Sequence, residues 1–203
     1  MTGLSLVALS VFTLLSLGCE SAKSAAPAVV RPPIDPNGPR EVAIVAGGCF
    51  WGMEKVLREA PGVVSIEVGY AGGKSDHVSY EQVSNGDTGH AESVRIVFDP
   101  HQISYEDLLL HWFFRGHDPT QLNRQNNDVG TQYRSEIFTT SEAQQKAAEA
   151  VKARVDGSGK WKRPVVTTIA PATTWVRAED YHQDYLIKHP NGYNDHWLRE
   201  FDF

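Results

Sequence analysis

The chain has 203 residues, with 19 Lys and Arg against 25 Asp and Glu, a formal charge of −6 at pH 7. An acidic chain without a Lys/Arg cluster is a poor match for nucleic acid. Two Cys are too few for a disulfide framework or a Cys-rich zinc site. At 41% hydrophobic and 22% charged, the composition is that of a globular enzyme or binding module with one core of fair size.

The chain opens on an apolar stretch, Leu4 to Leu17, broken only by Ser and Thr, with no charged side chain before Glu20. About fourteen such residues match a signal-peptide core and fall short of a membrane span. Leu15-Ser16-Leu17-Gly18-Cys19 resembles a bacterial lipoprotein processing site, although Ser16 stands where an aliphatic residue is usual and no basic residue precedes the apolar core. The expectation is a signal or lipoprotein signal peptide over 1–19, export to the cell envelope or periplasm, and lipid anchoring to the membrane through Cys19. Residues 20–40 hold five of the eleven prolines (Pro27, Pro32, Pro33, Pro36 and Pro39) among Ala and Ser. Such a segment buries too little apolar surface to offset the entropy of ordering it, and it reads as a flexible tether. The folded domain is expected over 41–203.

Glu41 to Ala46 reads as a buried strand ended by Gly47-Gly48, and Phe50 to Ala60 as a helix stopped by Pro61-Gly62. Val64, Ile66, Val68 and Tyr70 alternate with small or polar residues and predict a strand that Gly72-Gly73 ends. Val94, Ile96 and Phe98 predict another, closed by Pro100. Ser104 with Asp107 caps a helix through Phe114, and a polar, irregular run fills His117 to Gly130. A strand over Gln132 to Phe138, a helix from the Ser141/Gln144 cap to about Val155, and a strand over Pro164 to Ala170 complete the order β-α-β-β-α-β-α-β. The fold class is α+β, a two-layer sandwich with a mixed sheet, like an elaborated ferredoxin-like fold.

Cys49 is the one thiol inside this domain, after a Gly-Gly turn and ahead of a helix. A helix N-terminus offers unpaired N–H groups and the positive end of its dipole, which favour a thiolate. The alternative is a buried, inert thiol. Glu92 begins a strand beside His90, and a carboxylate at a strand end is commonly just solvated. His90-Ala91-Glu92 imitates half of a zinc deaminase site, but no Cys follows Cys49 to complete it. His111, His117, His182, His189 and His196 have no metal-ligand spacing and read as surface or core histidines. No phosphate-binding or dinucleotide motif is present.

Together the pieces are far more specific. GGCFWG (Gly47 to Gly52), GYAGG (Gly69 to Gly73), YEQV (Tyr80 to Val83) and GDTGHAE (Gly86 to Glu92) occur in that order. HDPT (His117 to Thr120), NDVGTQYRS (Asn127 to Ser135) and AEDYHQDYL (Ala178 to Leu186) follow. This set closely resembles the peptide methionine sulfoxide reductase A family, from about Val42 to Tyr193. The resemblance implies thiol-dependent reduction of free and protein-bound methionine-S-sulfoxide, a repair of oxidative damage. It implies Cys49 as nucleophile and Glu92 as a proton donor held neutral by burial. Tyr80 and Tyr133 would hydrogen-bond the sulfoxide oxygen, and Asp128 would orient water or Cys49. Phe50 and Trp51 would form the apolar methyl pocket; core packing is the plainer account of Phe50, Trp51 and Tyr133. No metal or organic cofactor is implied, only an external thiol.

Many members carry a resolving Cys in a Gly-Tyr-Cys element near the C-terminus, where this chain has Gly192-Tyr193-Asn194, and Ser84 replaces a Cys found in some members after YEQV. The domain therefore looks like a one-Cys enzyme whose sulfenic acid is reduced directly by a small thiol or a thioredoxin- or glutaredoxin-type protein. A monomer is the default expectation. The competing functions are a thiol peroxidase, a Cys hydrolase with His90 as base, and a non-catalytic envelope lipoprotein.

Overall fold

The computed structural model describes residues 33–203; the expected signal peptide, Cys19 and most of the tether lie outside the described residues. The end of the tether makes one tight turn, with the Gly38 N–H donating to Asp35 O (3.1 Å). Strand β1 (Glu41–Gly47) then leads through Gly48 and Cys49 into helix α1 (Phe50–Arg58), followed by β2 (Val63–Ala71), α2 (Tyr80–Ser84) and β3 (Ala91–Phe98). A helical run is divided into α3 (Tyr105–Leu108), a π-helical turn (Leu109–Phe113) and α4 (Phe114–Gly116). The short pair β4 (Arg124–Gln125) and β5 (Asp128–Val129) precedes a 3-10 turn (Thr131–Tyr133) and β6 (Ser135–Thr139). Helix α5 (Glu142–Gly157), β7 (Thr168–Pro171), β8 (Trp175–Arg177) and α6 (Tyr185–Lys188) complete the described elements.

Six strands form one mixed sheet in the order β7-β6-β1-β3-β2-β8. All neighbouring pairs are antiparallel except β6 and β7. The fold is α+β, as the sequence pattern indicates. Strand β1 has apolar side chains on both faces. Ala43 and Val45 join the core under the helices with Phe50, Met53, Leu57, Phe113, Val151 and Val155. Ile44 and Ala46 join a smaller cluster with Ala71, Ala91 and Phe138 on the opposite face. This double burial is why β1 reads as a continuous apolar run instead of an alternating one.

The N-caps fall where the sequence places them. The Asp107 N–H donates to Ser104 Oγ (3.0 Å) and the Gln144 N–H to Ser141 Oγ (3.2 Å). Three expectations are corrected. The strand expected over Gln132 to Phe138 starts at Ser135, because Gly130 (φ +148°) leads into the 3-10 turn. The strand expected over Pro164 to Ala170 is confined to its end, because only from Thr168 does the chain lie beside β6. The helix after Ser104 holds a π turn, whose extra residue per turn brings Phe113 and Phe114, adjacent in sequence, both into the core.

Candidate functional site

Cys49 is the N-cap residue of α1 and is 7% exposed. Gly48 ahead of it has φ +101°, and a Cβ there would come within 2.6 Å of the Gln125 side chain, so the turn that delivers the thiol requires glycine. The first turn of α1 contains no acidic residue and Cys49 makes no side-chain cap. A carboxylate from elsewhere serves instead: the Phe50 N–H donates to Glu92 Oε2 at 3.0 Å. Glu92 sits on β3 opposite Tyr70 of β2 and is 3% exposed. Because β1, which leads into Cys49, pairs with β3, the sheet brings together an acid and a thiol that are far apart in sequence.

Burial dominates the protonation of both groups. It pushes the Glu92 carboxyl up to about 8, opposed by the Phe50 N–H and aided by the charges of Asp128 and Asp195. The Cys49 thiol is also pushed well above its ordinary value, first by burial and then by Glu92, against the Trp51 N–H. This corrects the expectation of a thiolate at rest: the helix N-terminus does favour the anion, but desolvation and the neighbouring carboxyl outweigh it.

Around this pair lies a shell of aromatic rings. Phe50 packs against Tyr70 (5.9 Å between ring centroids) and His182 (4.9 Å). Trp51 stacks on Tyr185 at 3.7 Å and 13°, and its Nε1–H donates to His182 Nδ1 at 3.1 Å. Tyr80, first residue of α2, contacts the His182 ring at 4.5 Å. Burial lowers the basicity of His182, which keeps Nδ1 free to accept the indole proton. Glu179 ties the shell from behind, accepting from the Tyr70 hydroxyl (2.8 Å) and the Tyr80 N–H (2.9 Å).

Tyr133 ends the 3-10 turn and Asp128 lies on β5. Burial raises the Tyr80 and Tyr133 phenols, and the charge of Glu92 adds to both, so each remains a hydrogen-bond donor. Burial also raises Asp128, with the Asp195 carboxyl adding and the Tyr193 hydroxyl opposing. Cys49, Glu92, Tyr80, Tyr133 and Asp128 thus act on one another electrostatically and share one site, with Phe50 and Trp51 alongside.

Residues that carried no expected role also belong to it. His182 and His196, read as surface or core histidines, are buried within the site itself. The His196 Nε2 lies 2.8 Å from Gly47 O, just ahead of the nucleophile turn. The AEDYHQDYL run holds Glu179, His182 and Tyr185, so the motif was visible while its contacts were not. Nothing in the sequence marks Asp195 and His196. His90, the base a hydrolase would need, points its Nε2 at Ser75 O (3.0 Å). No group of three or more His, Cys, Asp or Glu that could hold a metal occurs among the described residues.

The arrangement offers a buried sulfur nucleophile, a neutral carboxyl and two phenol donors beside an apolar aromatic surface. Such a set suits transfer of an oxygen atom from a weakly electrophilic sulfoxide. Comparison with known proteins agrees. The family model described as peptide methionine sulfoxide reductase matches residues 41–201. Peptide methionine sulfoxide reductase MsrA of Nocardia farcinica is 51% identical over 157 residues, 77% of this chain and 89% of that protein. Mxr1 of Saccharomyces cerevisiae in reduced form superposes with a TM-score of 0.75 at 39% identity, over 83% of this chain and 96% of its own. The same yeast protein in complex with Trx2 gives 0.54 at 27%, over 83% and 96%. Methionine sulfoxide reductase A of Corynebacterium diphtheriae gives 0.68 at 36%, over 80% and 81%. The chain belongs to the peptide methionine sulfoxide reductase A family.

Proposed function

We propose that this oxidoreductase reduces the S epimer of methionine sulfoxide, free and in proteins, through a sulfenic acid on Cys49. In this reading Cys49 attacks the sulfoxide sulfur as its thiolate, forming an S–S bond, while Glu92 gives its proton to the oxygen and takes up the proton the thiol releases. The S–S bond and the substrate S–O bond then break as the hydroxyl passes to Cys49, and the products are the thioether and Cys49–SOH. Tyr80 and Tyr133 donate hydrogen bonds to the oxygen, Asp128 orients Cys49, and Phe50 and Trp51 receive the methyl group. The observation that carries this reading is the Phe50 N–H to Glu92 bond, which fixes a buried, neutral acid at the helix end that bears the thiol.

The proton inventory supports the same roles. Cys49 and Glu92 are both raised, Cys49 in part by Glu92. Both therefore carry a proton at rest; one goes to the sulfoxide oxygen and the other stays on Glu92.

The only Cys besides Cys49 in the sequence is Cys19, whose sulfur is blocked when it carries the lipid anchor, so in this reading the oxidised enzyme is reduced by an external thiol. One thiol attacks Cys49–SOH to give a mixed disulfide and water; a second releases Cys49 and the external disulfide. The Trx2 complex of the yeast relative supports a thioredoxin-type partner. The apolar run of 4–17 and Cys19 support export and lipid anchoring, and the monomer is retained as the working state. The run of antiparallel strands β6-β1-β3-β2 supports the ferredoxin-like reading, since it is the order 4-1-3-2 of that βαββαβ unit.

Dimedone trapping tests the intermediate. Without reductant, one equivalent of methionine should form per chain, with dimedone attached to Cys49. Methionine formed with no label on Cys49 would refute the route.

A further inference from the structure

We propose that Asp195 and His196 form a positioning pair for the nucleophile, with His196 holding the turn that carries Cys49. The proposal rests on the reductase reading of the site. His196 is 4% exposed, and its Nε2 lies 2.8 Å from Gly47 O, which can only accept, so Nε2 carries the hydrogen. Its Nδ1 is then 2.6 Å from Asp195 Oδ1.

The backbone around the pair is fixed on both sides. The Asn126 side-chain amide, between β4 and β5, donates to Asp195 O at 3.0 Å. Asn194 brackets His196, accepting from its N–H and donating to its C=O, both at 3.1 Å. Two glycines of the nucleophile turn leave room for the ring. A Cβ on Gly48 would come within 2.9 Å of His196 Nε2, and one on Gly52 would strike the His196 imidazole and approach Asn194 Oδ1 to 2.7 Å. The Gly47–Gly52 turn and the segment after Gly192-Tyr193-Asn194 are shaped to each other.

Asp195 also bears on the acids: its charge raises Cys49, Glu92 and Asp128 alike. The titratable groups facing the pair are therefore Cys49, Glu92 of β3, Asp128 of β5, Tyr193 and His117, which the charge of His196 lowers. Asp128 Oδ2, both Asp195 oxygens and His196 Nδ1 are buried without a well-aligned hydrogen-bond partner among the described residues.

The test compares full-length wild type with His196→Ala, His196→Gln and Asp195→Asn in two assays. Alkylation of Cys49 by iodoacetamide against pH, read on the proteolytic peptide that carries it, does not depend on reductase activity. Turnover of N-blocked methionine sulfoxide with dithiothreitol gives kcat and KM. Asp195→Asn should move the alkylation midpoint to lower pH, because a negative neighbour is gone. His196→Ala should lower kcat about tenfold with KM within about twofold. His196→Gln, whose amide can still donate to Gly47 O, should recover about a third or more of kcat. An unmoved midpoint in Asp195→Asn with unchanged kcat in His196→Ala would overturn the proposal. Should His196→Ala fail to fold, an unmoved midpoint and unchanged kcat in Asp195→Asn overturn it alone. A wild type that alkylates but reduces no sulfoxide counts against the reductase reading, while the alkylation profiles still decide the pair.

Discussion

Replacing Glu92 by Gln should make the protein more stable and nearly inactive, and both effects have one cause. The carboxyl is 3% exposed, and burial lifts it from an ordinary 4.5 to about 8. At pH 7 the folded protein then holds about ten neutral carboxyls for each ionised one. Because the folded-state value lies above the unfolded one, the unfolded chain ionises first as pH rises. The contribution of Glu92 is whole below the unfolded value, is lost as pH rises at about 1.4 kcal/mol per pH unit, and is gone near pH 8. Gln fills the same space, can accept the Phe50 N–H in place of Glu92 Oε2, and never ionises. Its stability relative to wild type should therefore rise with pH, by about 3 kcal/mol between pH 4.5 and pH 7, and level off above pH 8. Any cost of burying the amide NH2 shifts every point equally, so the slope is what is tested. Losing the proton donor should lower kcat by about 10²- to 10⁴-fold. Urea unfolding at pH 5, 7 and 8.5 with a common m-value measures the first effect, and dithiothreitol-driven turnover the second. A stability difference independent of pH, or a retained kcat, would refute the reasoning.

The other predictions probe separate parts of the site and the scaffold. Gly48→Ala forces a side chain onto φ +101° and into Gln125, and should cost about 1–3 kcal/mol of stability in urea melts while lowering kcat. Trp51→Phe loses the Nε1–H bond to His182 and should raise KM for methionine sulfoxide about tenfold more than it lowers kcat, as steady-state kinetics would report. Ser141→Ala removes the cap of α5. It should destabilise the protein by about 1 kcal/mol with activity unchanged, so a loss of activity would show that α5 acts on the site.

What the sequence made legible were features carried by local pattern. The alternation of Val94, Ile96 and Phe98, the Ser104 and Ser141 caps, and the glycines around Cys49 each state a backbone requirement within a few residues. What it hid depends on partners distant in the chain. The thiol of Cys49 reads as activated when only its helix is considered. Its state is set by burial and by Glu92, which the β1–β3 pairing brings to the start of α1. His182 and His196 have no ligand spacing; His182 accepts from an indole and His196 donates to a backbone carbonyl, contacts that leave no periodic trace. The π turn at 109–113 is likewise a tertiary effect, imposed by two adjacent Phe that both enter the core. The seven motifs in order point to the family and, through it, to roles for Glu92, Tyr80, Tyr133, Asp128, Phe50 and Trp51 around Cys49; they give none to Asp195 and His196.

The most direct measurement of the central claim uses the purified protein with dithiothreitol and a racemic pair of N-blocked methionine sulfoxide epimers, followed by chiral separation. The account predicts that the S epimer alone is consumed and that Cys49→Ser abolishes its loss. Consumption of both epimers, or of neither by a folded protein, or turnover that survives Cys49→Ser, would contradict it.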